Sequence, residues 1–180
     1  ESHLDAPEMV QFRRALDLNP NSDEGHYNLA WIYNHIGLLD EGLQEGRKAF
    51  AINPNATRPL FQIGNSLLWQ GKYQEGFDIW RSIPRQAYPE FLGSQTAWAL
   101  FQIGRKDEAS ARIKELLKDY PEDAGGAFAG VQAILLAAAR EERSAEDKIE
   151  SAAKKKAFGH FHHTAYWIAS AYAWMNKPRL

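Results

Sequence analysis

Apolar and small residues recur along this chain at offsets of 0, 3, 4 and 7, the mark of one helix face at 3.6 residues per turn. Four such sets stand out: His26, Leu29, Ala30, Tyr33; Leu60, Ile63, Gly64, Leu67; Gly93, Thr96, Ala97, Leu100; and Ala165, Ile168, Ala169, Tyr172. Between them runs a second pattern, a small residue followed four and seven places on: Gly42, Gly46, Ala49; Gly76, Trp80, Ile83; Ala109, Ile113, Leu116. The chain therefore reads as pairs of antiparallel helices. Small residues at matching places (Ala30, Gly64 and Ala97 against Gly42, Gly76 and Ala109) let the two backbones of a pair approach closely. A glycine inside a helix costs about 1 kcal/mol relative to alanine, and close packing is the natural compensation.

The pairs repeat. Pro20 and Pro54 lie 34 residues apart, as do Gly37 and Gly71, and Gly104 follows 33 residues later. Pro121 follows Gly104 by the same 17 residues that separate Pro54 from Gly37. Gly37, Gly71 and Gly104 can take the left-handed conformation that ends a helix. Asp5 with Glu8 reads as a capping box, with Pro7 tolerated in the first turn. This punctuation predicts full units at 23–54, 57–84 and 90–121. A lone second helix at 6–19 precedes them, with Phe12 and Ala15 in the matching places. An irregular unit follows at 124–157, where Ala145, Ile149 and Ala152 are in phase but the connecting glycine is missing. A lone first helix at 162–175 closes the series.

These residues resemble the tetratricopeptide repeat, and the resemblance covers nearly the whole chain. It implies an all-α fold of about ten helices, a right-handed superhelical solenoid of antiparallel helix pairs. His26 and Gly93 stand where the family has a large apolar residue, and Gly46 where it has a bulky one, so weaker packing is expected there. Solenoids finish in polar capping elements, yet Ile168, Ala169 and Tyr172 would lie open. The expectation is that a parent protein continues past Leu180 or that this end packs on another molecule. A first residue of Glu1 rather than Met reads the same way.

Composition narrows the partners. Net charge is −2, from 21 basic and 23 acidic residues, without the basic footprint that nucleic-acid binding leaves. Lys154, Lys155 and Lys156 read as a solvated helix end. With no cysteine in the chain, disulfides, thiolate zinc sites and cysteine nucleophiles are excluded. The longest apolar run, "AGVQAILLAAA", is too short to span a bilayer, and the sequence-based expectation is a cytoplasmic protein without membrane or nucleic-acid partners.

The family resemblance implies partner binding along the concave surface lined by the first helices. Offsets opposite the core pattern give Tyr27, Trp31, Asn34 and His35, then Arg58, Phe61, Asn65, Leu68 and Trp69. Phe91, Ser94, Trp98, Phe101 and Gln102 follow, then His163, Tyr166, Ser170 and Trp174, with Phe128 and Gln132 assigned to the fourth unit. A solvated face should be charged, and this one is aromatic with interspersed amides. Two readings are open: a peptide groove, or rings buried between neighbouring first helices. On the groove reading Tyr27, Trp31, Asn34, Arg58, Phe61, Asn65, Trp69, Phe91, Trp98, Phe101 and Gln102 contact a protein or peptide partner. The carboxylate clamp of chaperone-binding members of the family is ruled down, because Tyr27 and Trp31 stand where it needs lysine and asparagine.

His160, His162 and His163 fall short of the three or four converging ligands that a metal site needs, and adjacent histidines point about 100° apart on a helix. No "HExxH", "GxSxG", "GxxxxGK[ST]" or "GxGxxG" occurs, and "DAGGAFAG" follows a helix rather than a strand. The expectation is a protein-interaction scaffold with no catalysis, metal or cofactor. The alternatives are a regulatory tetratricopeptide segment of a larger bacterial signalling enzyme (kinase, nucleotide cyclase or winged-helix regulator), or a scaffold that self-associates end to end.

Overall fold

A computed structural model describes residues 7–84, 87–155 and 161–177. Regular structure among the described residues is helical throughout. In chain order the helices are α1 (Pro7–Leu18), α2 (Asp23–His35), α3 (Leu39–Ile52), α4 (Thr57–Trp69) and α5 (Tyr73–Trp80), then α6 (Pro89–Gln102), α7 (Lys106–Asp119), α8 (Ala127–Ala138), α9 (Glu142–Ala153) and α10 (Phe161–Trp174). They fall into two compact units, residues 1–84 with α1 to α5 and residues 85–180 with α6 to α10. The capping residue Asp5 lies outside the described residues.

Every first helix ends the same way. Gly37, Gly71 and Gly104 take φ of 82°, 78° and 84° after α2, α4 and α6. The next amide donates back to the carbonyl five residues earlier: Leu38 to Tyr33, Lys72 to Leu67, Arg105 to Leu100, each at 2.9 Å. This closure satisfies carbonyls that the helix end would otherwise orphan. Open space surrounds all three glycines, so backbone conformation, not crowding, selects the residue. After α8 and α10 the same place is taken by Arg140 and Asn176, at φ 65° and 55°. Glu141 donates to Leu136 and Lys177 to Tyr172, again at 2.9 Å. The fourth unit lacks the glycine but keeps its turn. The turn also sets the register of α8: Ala129, Gln132, Ala133 and Leu136 hold the places of His26, Leu29, Ala30 and Tyr33.

In the first unit, α2 packs on α1, α3 and α4, and α4 packs on α3 and α5. Met9, Leu29, Ile32 and Tyr33 form one apolar cluster, joined by Phe12, Leu16 and Leu38. Leu43, Ile63 and Leu67 form another, with Phe50, Leu60 and Ile79. His26, only 9% exposed, occupies its core slot by being fully hydrogen-bonded. Its Nε2 donates to the Pro20 carbonyl at 3.0 Å and its Nδ1 lies 2.5 Å from the Glu45 carboxylate. Asn34 brackets α2 to α4, donating to the Gln62 carbonyl and side chain at 3.1 and 3.0 Å and accepting from Ser66 at 2.7 Å. The polar replacement at His26 thus costs no unsatisfied group. Gly46 leaves no void either, because the side chain of Ile63 lies against it.

In the second unit, α6 packs on α7 and α8, while α8 also packs on α7, α9 and α10. Leu116 fills the space at Gly93, where a Cβ would come within 2.7 Å of its methyl carbon. The "DAGGAFAG" stretch is a capped helix start. Buried Asp123 accepts from the amides of Phe128 and Ala129 at 3.0 and 2.9 Å, negative charge meeting the positive end of α8. Thr164 at the start of α10 donates to the Gly125 carbonyl at 2.5 Å. Past the far end of α10, Lys177 reaches Glu142 and Glu146 of α9 at 2.7 and 2.9 Å. Hydrogen bonds to Glu142 and then Glu146 raise the pKa of this lysine.

Candidate functional site

Two of the first helices in residues 7–84 carry part of the aromatic stripe. On α2, Trp31 is 47% exposed, with the His35 ring tilted against it at 4.4 Å. Tyr27 is half-buried and lies under the guanidinium of Arg58 from α4, 4.2 Å from ring centroid to the guanidinium carbon. Arg58 itself is exposed. A guanidinium over a tyrosine face is held by the ring quadrupole and keeps its N–H groups directed outward. Phe61 and Trp69 are half-buried on α4. Phe61 stacks on Trp80 at 5.9 Å, and Trp80 donates its indole N–H to the Phe61 carbonyl at 3.2 Å. Asn65 is 7% exposed, and its side-chain oxygen accepts no hydrogen bond. Asn34, by contrast, is committed to the bracket between α2 and α4 described above.

On α6 the same offsets lead to a different environment. Trp98 and Phe101 are 4% and 6% exposed; Phe91 and Gln102 are half-buried. Their rings meet those of α10. Phe91 lies edge-on to His163 at 5.2 Å, Trp98 meets Tyr166 at 5.9 Å and Trp167 at 5.4 Å, and Phe101 meets Trp174 at 5.5 Å. Small residues on α8 allow this. A Cβ on Gly130 would come within 2.7 Å of the Trp167 Cβ, so only glycine lets α10 sit this close. Trp167, which the repeat offsets leave off the stripe, is the most buried of these rings, at 1% exposure. Phe128 is fully buried. The rings of α6 and α10 pack on one another, while Trp31 and Arg58 in the first unit face solvent.

Of the three clustered histidines, His160 lies outside the described residues, as does the side chain of His162; His163 is the edge-on partner of Phe91. Among the described residues no group of three or more His, Asp or Glu side chains is placed to hold a metal ion. No helix among them is long and apolar enough to cross a membrane.

The comparisons with known proteins agree with this repeat geometry. Tetratricopeptide-repeat family models match residues 12–44 and residues 95–123. The small glutamine-rich tetratricopeptide repeat-containing protein 2 of Mycosarcoma maydis is 29% identical over 70 residues, which is 39% of this chain and 20% of that protein. The chain thus matches about a fifth of that relative's length. A thermophilic tetratricopeptide protein from Thermus thermophilus superposes with a TM-score of 0.70 at 20% identity, over 91% of this chain and 88% of that one. YrrB, described as a TPR protein with an unusual peptide-binding site, superposes with a TM-score of 0.61 at 15% identity, over 92% and 84%. Residues 12–44 and 95–123 are thus matched as tetratricopeptide repeats, and the same helix pairs and turn recur after each of the five first helices among the described residues.

Proposed function

We propose that this chain is a protein-interaction module that holds an extended segment of a partner against the first-helix face of residues 7–84. Tetratricopeptide-repeat proteins are in general interaction scaffolds, and the reading assigns this one no catalysis and no cofactor. The observation that carries it is the exposed Trp31 beside the Arg58–Tyr27 stack. A large aromatic left open next to an outward guanidinium is the composition of a binding hot spot. Phe61 and Trp69 extend the apolar area that a partner segment covers. A segment that fits is apolar or proline-containing, with an acidic group or carbonyl opposite Arg58. Within the eleven-residue set, Tyr27, Trp31, Arg58, Phe61 and Trp69 are the contact residues on this reading, while Asn65 is buried beneath that face. Phe91, Trp98, Phe101 and Gln102 act through the ring packing of the second unit, and Asn34 through its bracket.

Peptides selected from a random library on the full chain provide the test. Trp31→Ala should weaken the best binder by roughly thirtyfold, a loss of about 2 kcal/mol, with the circular dichroism spectrum unchanged. Arg58→Ala should weaken most the peptides that carry an acidic group. Selected peptides that bind Trp31→Ala and Arg58→Ala as tightly as the parent would refute the assignment of this face.

A further inference from the structure

Two buried polar atoms of opposite kind stand without partners where α6 meets α10. Gln95 is 2% exposed and Trp167 is 1% exposed. The Gln95 side-chain oxygen accepts no hydrogen bond, and the Trp167 indole N–H donates none, among the described residues. A buried donor or acceptor that nothing meets is costly and calls for a reason. Gln62 on α4 stands as far from its turn glycine, Gly71, as Gln95 does from Gly104. There the amide oxygen is met by Asn34 at 3.0 Å. Gln95 and Trp167 instead line one cavity of about 10 Å³, with Phe91, Ser94, Ala127 and Thr164 also in its wall.

We infer that this cavity is the site of one structural water molecule, which bridges Trp167 to Gln95 and so ties α10 to α6. Size is the first argument. A cavity needs about 10–15 Å³ to hold a single water, and a second would not fit. The chemistry is equally restrictive. The occupant must accept from an indole N–H and donate to an amide oxygen, and water does both at once. A cation accepts no hydrogen bond, an apolar group satisfies neither atom, and a larger hydroxyl compound exceeds the space. Rotating the Gln95 amide would turn its NH2 group into the cavity and leave two donors with no acceptor, so the oxygen faces inward. The bridge sits beside the edge-on contact of Phe91 with His163. It adds a polar tie to the ring packing of α6 on α10. The site lies within residues 85–180 and is independent of the face proposed above for residues 7–84.

Nuclear Overhauser spectroscopy of the full chain provides the test. The indole proton of Trp167 is assigned by its loss in Trp167→Phe. It must show a cross-peak to water with opposite signs in the laboratory and rotating frames, the signature of a long-lived neighbour rather than of proton exchange. Gln95→Met keeps the length of the side chain and removes its acceptor, so the cross-peak should be lost there while the circular dichroism spectrum is unchanged. Its persistence in the folded variant would refute the bridge. If that variant does not fold, the parent alone decides. A scalar coupling between Trp167 Nε1 and Gln95 Cδ would show that the two groups bond directly, and would overturn the inference. A parent indole without the dipolar water cross-peak would do the same.

Discussion

Gly64→Ala sets helix propensity directly against packing, and the structure decides between them. Propensity alone favours alanine by about 1 kcal/mol in a helix interior. The new Cβ, however, would lie 2.0 Å from Trp80 Nε1, 2.4 Å from its Cδ1 and 2.6 Å from its Cε2. Trp80 is 1% exposed and cannot swing into solvent without emptying the α4–α5 contact. To restore van der Waals distance the indole must retreat by more than about 1 Å. That breaks its hydrogen bond to the Phe61 carbonyl, worth about 1 kcal/mol, and forces strain of about 1–3 kcal/mol on the surrounding core. The net expectation is a destabilisation of about 1–3 kcal/mol after the gain in propensity. Urea denaturation followed by far-ultraviolet circular dichroism measures it. A double-mutant cycle isolates the cause: in a Trp80→Leu background the same Gly64→Ala change should be neutral or stabilising by up to about 1 kcal/mol. A Gly64→Ala protein as stable as the parent, or an equal loss in both backgrounds, would refute the argument.

Two further predictions rest on single observations. Arg140 holds φ 65° where three other units use glycine, and a left-handed side chain costs about 1 kcal/mol; Arg140→Gly should therefore raise stability by up to that amount, and a loss in the same urea experiment would contradict it. The hydrogen bond from Arg105, aided by its charge, holds the Glu108 carboxyl below the ordinary glutamate range. A depressed carboxylate contributes stability that is present above its unfolded pKa and lost as pH falls through the folded one. Carbon-detected NMR should show Glu108 titrating below the other exposed glutamates, and Arg105→Gln should return it to their range; co-titration in both proteins would dispose of the pair.

Much of the fold was legible because its signals are local. Gly37, Gly71 and Gly104 announce left-handed caps since glycine takes that backbone at least cost, and the 0, 3, 4, 7 spacing names the core face of α2, α4 and α6; on α10 it does not, for Ala165 is exposed while Thr164, Trp167 and Ala171 are buried. The same logic explains what could not be read. Arg140 makes the turn without glycine, because a penalty of about 1 kcal/mol is easily overridden by the packing of α8 on α9. His26 looked like a weak core residue, yet Glu45 and the Pro20 carbonyl satisfy both ring nitrogens. Its charged partner lies 19 residues away across a helical turn, beyond the reach of any periodicity.

By itself, then, the sequence determined that the chain is helical, where its helices pair and which side of each carries rings. Trp31, Trp98 and Phe101 share that side, and the two tryptophans stand at the same offset from their cap glycines. Only the tertiary structure decided that Trp98 and Phe101 are covered by α10 while Trp31 stays open. Periodicity reports the direction in which a side chain leaves its own helix; whether another helix waits there depends on Gly130 and Trp167, residues far along the chain that meet these rings only through space.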